Sequence, residues 1–253
     1  MDHMSAGLLV FLVISGFIAS FIDSIVGGGG LISIPALMLT GLPPSHVLGT
    51  NKLASSLSSL TSTLSYLRSG KVEFRLVKYL FPLSLIGSLF GAYTVGLVPS
   101  TFLKPVVLIL LIGVTVYSIV KKDKGKKTEY RGITKKILQI CVPAAFAIGF
   151  YDGFFGPGTG SFLIIVFLFV GFDYIYASGN AKALNFASNI AGLAMFMFQR
   201  SVNYHFGIVM GIAMILGSLA GSQFAIKKGA AVVRPIFICV TVVLIGKQLW
   251  NMF

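Results

Sequence analysis

Apolar runs long enough to cross a bilayer recur along the chain, at roughly 5–22, 76–98, 103–120, 137–155 and 204–226. About 18 such residues in a row read as a membrane-spanning helix. The alternating apolar and polar pattern of a transmembrane barrel is absent. Two runs are interrupted in a similar way. In FIDSIVGGGGLISIP the apolar run reaches Asp23, and Gly27, Gly28, Gly29 and Gly30 follow before it resumes. In DGFFGPGTG, Asp152 precedes Gly156, Gly158, Thr159 and Gly160.

These breaks occupy matching places in two halves. At an offset of 129, Phe17, Asp23, Gly27 and Gly29 match Phe146, Asp152, Gly156 and Gly158. From Gly41 onward the offset is 130, and Gly49, Lys52, Ser58, Val72, Gly87, Gly91 and Pro105 match Gly179, Lys182, Ser188, Val202, Gly217, Gly221 and Pro235. Matches at a nearly fixed offset read as an internal duplication. Each half reads as five apolar segments: 5–26, 31–42, 46–67, 75–98 and 103–120, then 137–155, 160–172, 178–199, 204–226 and 231–251. The second segment of each half is short. At about 1.5 Å per residue, about 12 residues cover only about 18 Å of an about 30 Å hydrocarbon core. Such a segment is a half-helix or one arm of a re-entrant hairpin.

The polar stretch 121–136, KKDKGKKTEYRGITKK, carries eight Lys or Arg and divides the chain. It sets a first repeat at 1–120, a linker at 121–136 and a second repeat at 137–253. Basic connectors favour the cytoplasmic side. That places the linker inside, together with Arg68, Lys71 and Arg75 of one connector and Lys227 and Lys228 of another. The connectors near 43–45 and 99–102 lack Lys and Arg and fall outside, as do both termini. Each half then crosses an odd number of times, so the halves are inverted. The expected fold is an all-α integral membrane protein of the cell membrane: a polytopic bundle of two inverted-topology repeats, with about ten apolar segments, some short or broken.

Composition agrees, with 56% hydrophobic and 11% charged residues, and the net charge of +13 lies mostly in connectors. It reads as a topology signal facing the lipid bilayer, not as a nucleic-acid surface. Cys141 and Cys239 sit in apolar runs and read as packing residues. The N-terminal run has no basic segment ahead of it and reads as a span, not a cleaved leader.

Inverted repeats with interrupted segments at matching positions point to a secondary transporter. Irregular backbone at membrane depth persists only where protein or water covers it. Free N–H groups and the helix dipole at the start of the next segment favour an anion. In the following helix, Gly49, Lys52, Ser55, Ser59 and Ser62 share one face, as do Gly179, Lys182, Asn185, Asn189 and Gly192. A buried ammonium is costly and needs a partner. Snorkelling of the lysines and small-residue packing of the serines are the structural alternatives. Asp23 and Asp152, the acids within apolar sequence, can pair with a lysine, cap the break or carry a proton. Asp173 reads as a turn residue.

The early acid with GGGGLISIPALMLTGLP, followed by GTNKLASSLSSLTSTLSYLRSGKV and weaker copies of both, resembles the TauE/SafE family of sulfite exporters and organosulfur-anion permeases. The resemblance covers nearly the whole chain. It implies a carrier of sulfite, sulfoacetate or related sulfonates. It also implicates Gly27 to Gly30, Thr50, Asn51 and Lys52, with Gly156, Gly158, Gly179, Asn180 and Lys182 as their partners. The second half departs from the pattern, with Gly-Pro-Gly-Thr for the glycine quartet and GNAK for GTNK. A compact oxoanion suits backbone N–H groups, Asn and Ser donors and a point-charge Lys.

No cofactor, metal site or catalytic residue is expected. The glycine run lacks the Lys-Ser/Thr of a nucleotide loop. His3, His46 and His205 lie near segment ends and no nucleophile elbow appears, which weighs against an intramembrane enzyme. An anion channel, and a carrier of another small solute coupled to protons through Asp23 and Asp152, remain as alternatives. Gly87, Gly91, Gly217 and Gly221 are expected to serve internal packing, with a homodimer as the other use for them.

Overall fold

The computed structural model describes residues 6–95 and 128–229, with positions 232, 233, 235, 236, 239 and 242. The expected segment 103–120, the connector 99–102, the first part of the linker and most of 231–251 lie outside these. The regular structure among the described residues is all helical, with no strand. The helices are α1 (Ala6–Val26), α2 (Gly30–Met38), α3 (Pro44–Arg68), α4 (Phe74–Thr94), α5 (Lys135–Phe154), α6 (Thr159–Phe169), α7 (Tyr174–Phe198) and α8 (Tyr204–Lys228). Among them α1, α4, α5 and α8 are long and apolar enough to cross a membrane. The exposed faces of these four carry large apolar side chains, such as Ile14, Phe90, Phe146 and Ile212, as lipid contact requires.

Local chemistry sets the boundaries. Pro44 stands at the first position of α3, where its missing N–H costs nothing. Asp173 caps α7 by accepting from the N–H groups of Ile175 and Tyr176, both at 2.9 Å, so the turn residue is also an N-cap. Asn203 caps α8 through Phe206 N at 3.1 Å. Helix α7 begins four residues before its expected start because of that cap. The short segments are shorter than their apolar runs suggest: nine residues in α2 and eleven in α6. Helix α5 begins inside the basic linker, capped by Thr134. Just before it, Glu129 N and Tyr130 N donate to Gly171 O at 2.7 and 2.9 Å, and the Tyr130 ring stacks on Phe172 at 4.1 Å.

Helix pairing follows the glycines. Helix α1 packs on α8, and α4 on α5, while α3 and α7 lie between these pairs and touch each other. A Cβ on Gly217 or Gly221 of α8 would fall against the Phe17 or Phe21 carbonyl of α1. A Cβ on Gly87 or Gly91 of α4 would fall against the Phe146 or Phe150 carbonyl of α5. These two sets of contacts map onto each other under the sequence offsets. Small residues let backbones approach where lipid offers no hydrophobic push, so these four glycines serve internal packing. Cys141 is buried in the core, but Cys239 is exposed rather than packed.

The two ends of the central pair are also reciprocal. At the start of α3, Gly49 abuts the Ser201 carbonyl, and Thr50 Oγ1 accepts from Asn203 N at 2.9 Å. At the start of α7, Gly179 abuts the Lys71 carbonyl, and Asn180 Oδ1 accepts from Glu73 N at 2.7 Å. Each helix therefore begins where the other ends, and α3 and α7 run antiparallel.

Candidate functional site

The two glycine-rich breaks meet at the centre of this arrangement. Gly27 has φ +79°, and a Cβ there would strike the backbone of Gly160 and Ser161. Only glycine permits both that conformation and that approach. Gly158 caps α6 with φ +87°. The last carbonyls of α1, which no helical amide can reach, accept from hydroxyls instead. Tyr66 OH donates to Ser24 O at 2.8 Å, Ser178 Oγ to Ile25 O at 2.9 Å and Ser161 Oγ to Val26 O at 3.0 Å.

Four charged side chains converge at the breaks in two ion pairs, each joining the two halves. Lys52 Nζ lies 2.7 Å from Asp152 Oδ2 and donates to Asn189 Oδ1 at 3.1 Å. Lys182 Nζ lies 2.5 Å from Asp23 Oδ2. The pairs are exchanged under the same offsets, since Lys52 matches Lys182 and Asp23 matches Asp152. Both lysines are buried, at 4% and 0% exposure, so they do not snorkel. Gly192 makes room for Lys52, because a Cβ there would sit 3.2 Å from the lysine Cε. Asp23 serves the break as well, its Oδ1 accepting from Gly29 N at 3.0 Å. Among the described residues the amides of Gly28 and Gly30 have no hydrogen-bond partner.

A small cavity opens between these groups. From the first half it is lined by Asp23, Gly28, Gly29, Gly30, Asn51, Lys52 and Ser55. From the second half it is lined by Asp152, Gly156, Gly158, Thr159, Asn185 and Asn189, and by two residues the sequence reading did not single out, Gly160 and Met214. Six expected residues stand outside the lining. Gly27 and Gly179 are close-approach points. Thr50 and Asn180 hold helix ends together. Ser59 Oγ turns back to Ser55 O at 2.6 Å, and its neighbours Ser56 and Ser62 likewise bond carbonyls of their own helix. Lys182 is sealed behind Asp23. Gly160 could have been found as the last glycine of the second break. Met214 lies in a plain apolar run and gives no signal except against its counterpart at offset 130, which is Ser84.

The site brings together two lysines and two aspartates with amide and hydroxyl donors around one space, and no group of acids, histidines and cysteines able to hold a metal is found among the described residues. Long apolar helices around such an interior define a multi-pass membrane protein. The chain belongs to the sulfite exporter TauE/SafE family, whose model matches residues 12–247. It is 38% identical over 245 residues to probable membrane transporter protein ORF9 of a Sinorhizobium species, covering 96% of this chain and 93% of that one. It is 36% identical to probable membrane transporter protein YfcA of Escherichia coli K12, covering 96% and 90%. A probable membrane transporter protein of Haemophilus influenzae is 34% identical, covering 96% and 95%. No solved structure matches the chain.

Proposed function

We propose that the protein is a secondary carrier of small sulfur-containing anions, such as sulfite or a sulfonate, working by alternating access between two inverted halves. The observation that carries this reading is the shared cavity. The Lys52 ammonium, the Asn51, Asn185 and Asn189 amides and the glycine backbones of both breaks face one space. Such groups suit a compact anion with several acceptor oxygens. The antiparallel α3 and α7 and the reciprocal contacts support inverted halves that can rock about the site. The basic linker supports a cytoplasmic position for 121–136 in the cell membrane.

An anion has to compete for Lys52, because Asp152 already holds it. Substrate entry then separates the Lys52–Asp152 pair and leaves a carboxylate in need of neutralisation. That observation favours a second reading of the same cavity, in which Asp23 and Asp152 carry protons with the solute.

Thermal-shift or calorimetric titration of the purified protein tests the first reading. Sulfite, thiosulfate, sulfate, sulfoacetate, taurine and chloride are compared on wild type and Lys52→Ala. Stabilisation by a sulfur anion that disappears in Lys52→Ala supports the carrier and its site. No response to any anion, with a response to pH or cations instead, moves the assignment to the carboxylates.

A further inference from the structure

We infer that Met214 determines which anions the cavity accepts, by favouring an oxoanion that has one corner without oxygen. This rests on the anion-carrier reading above and names the part of the substrate that one wall of the site reads. Among the described residues that line the cavity, Met214 alone is a large apolar side chain; the others are charged, carry amides or hydroxyls, or are glycines. It is buried, at 2% exposure, and packs in an apolar cluster with Leu12 and Met210. Gly16 of α1 lies behind it, a Cβ there coming within 3.4 Å of the Met214 Cγ. The side chain is thus backed by α1 and lines a polar space.

A thioether donates no hydrogen bond. An anion oxygen turned toward it exchanges hydration for nothing, which is costly in an enclosed site. A carbon at that corner loses no such bond, a sulfur lone pair or terminal sulfur loses only a weaker one, and a polarisable thioether makes good contact with each. Sulfite, sulfonates and thiosulfate have that corner and sulfate does not. The repeat sharpens the argument. Ser84, the counterpart of Met214, turns its hydroxyl away to donate to Leu184 O at 2.9 Å. Ser84 is not among the residues lining the cavity, so Met214 has no equivalent from the first half there.

Thiosulfate and sulfate form the matched test pair, since both are divalent tetrahedral anions and differ at one corner. Calorimetric titration of the purified full chain compares them on wild type, Met214→Ser and Met214→Leu. The expected result is a wild-type preference for thiosulfate of about tenfold or more, kept in Met214→Leu and reduced below about threefold in Met214→Ser. Equal wild-type affinities overturn the inference whatever the variants do. A Met214→Ser protein that loses affinity for both anions while keeping their ratio also overturns it, and reduces Met214 to packing. Wild type that binds neither of these anions, nor sulfite, removes the anion-carrier reading itself. That outcome is distinct from binding without discrimination.

Discussion

Lys182 reaches across from the second half of the chain to Asp23 in the first, and the same carboxylate holds Gly29 N at the start of α2. One residue therefore neutralises a fully buried ammonium and fixes the first glycine-rich break. Removing one member of a buried pair leaves the other charged and unpaired, which costs about 3–5 kcal/mol. Asp23→Asn and Lys182→Met should each lower thermal stability in detergent strongly. The double variant should recover part of the loss, since it leaves no orphaned charge. A strictly additive double variant would show that the two residues are not coupled.

On the anion-carrier reading proposed above, Lys52 and Asp152 have effects of opposite sign on binding. With Asp152→Asn, the ammonium loses the carboxylate with which a substrate anion must compete. Affinity for the preferred anion should rise about tenfold, while Lys52→Ala abolishes binding. Titration calorimetry of both variants reads the sign directly. A loss of affinity in Asp152→Asn would mean that the carboxylate orients Lys52 and does not compete for it.

The glycine contacts between helix pairs should be interchangeable in their effect. Gly91→Ala in α4 drives a methyl into the Phe150 carbonyl, and Gly221→Ala in α8 drives one into that of Phe21. Both should destabilise by about 1–3 kcal/mol, the usual cost of forcing extra atoms into a packed interior. Thermal unfolding of the two variants side by side checks this. A shift in only one would mean that the α1–α8 and α4–α5 contacts differ in rigidity.

The reciprocal helix-end bonds predict control of access from opposite sides. Thr50→Val leaves Asn203 N without its acceptor, and Asn180→Leu does the same to Glu73 N. Each lost partner costs about 1–3 kcal/mol if the amide stays buried. A cysteine placed at Ser55, in a background lacking Cys141 and Cys239, reports access to the cavity. Impermeant thiol labelling in right-side-out and inverted vesicles should increase on one side for Thr50→Val and on the other for Asn180→Leu. An increase on the same side for both variants would contradict the two-ended arrangement.

Much of the fold is legible in the sequence, because lipid demands apolar length and a duplication leaves fixed offsets. All eight described helices fall within the expected apolar segments or a few residues from them. The glycine-rich breaks, Lys52, Lys182 and the two acids also stand out, since each violates the apolar rule around it. What is not legible is partner choice. That Lys52 takes Asp152 and Lys182 takes Asp23 follows from how the halves cross, which no local pattern encodes. Thr50 and Asn180 each sit two residues from their lysines, yet a rotation of about 100° per residue turns them from the cavity toward the helix-end loops. Met214 is invisible for the opposite reason: an apolar residue in an apolar run announces nothing until the space beside it proves polar.

The crossed ion pairs also bear on how the protein is made. Asp23 and Lys182 are 159 residues apart in the chain, so Asp23 leaves the ribosome well before its partner exists. At about 5–20 residues per second, that interval is roughly 8–32 s. For that time the first half holds Lys52 and Asp23 without the aspartate and the lysine that pair with them in the finished fold. A first half that keeps α1 and α3 open to water until α5 and α7 arrive avoids the cost of burying either charge unpaired. Neither half, synthesised alone, can form the crossed ion pairs that the whole chain attains.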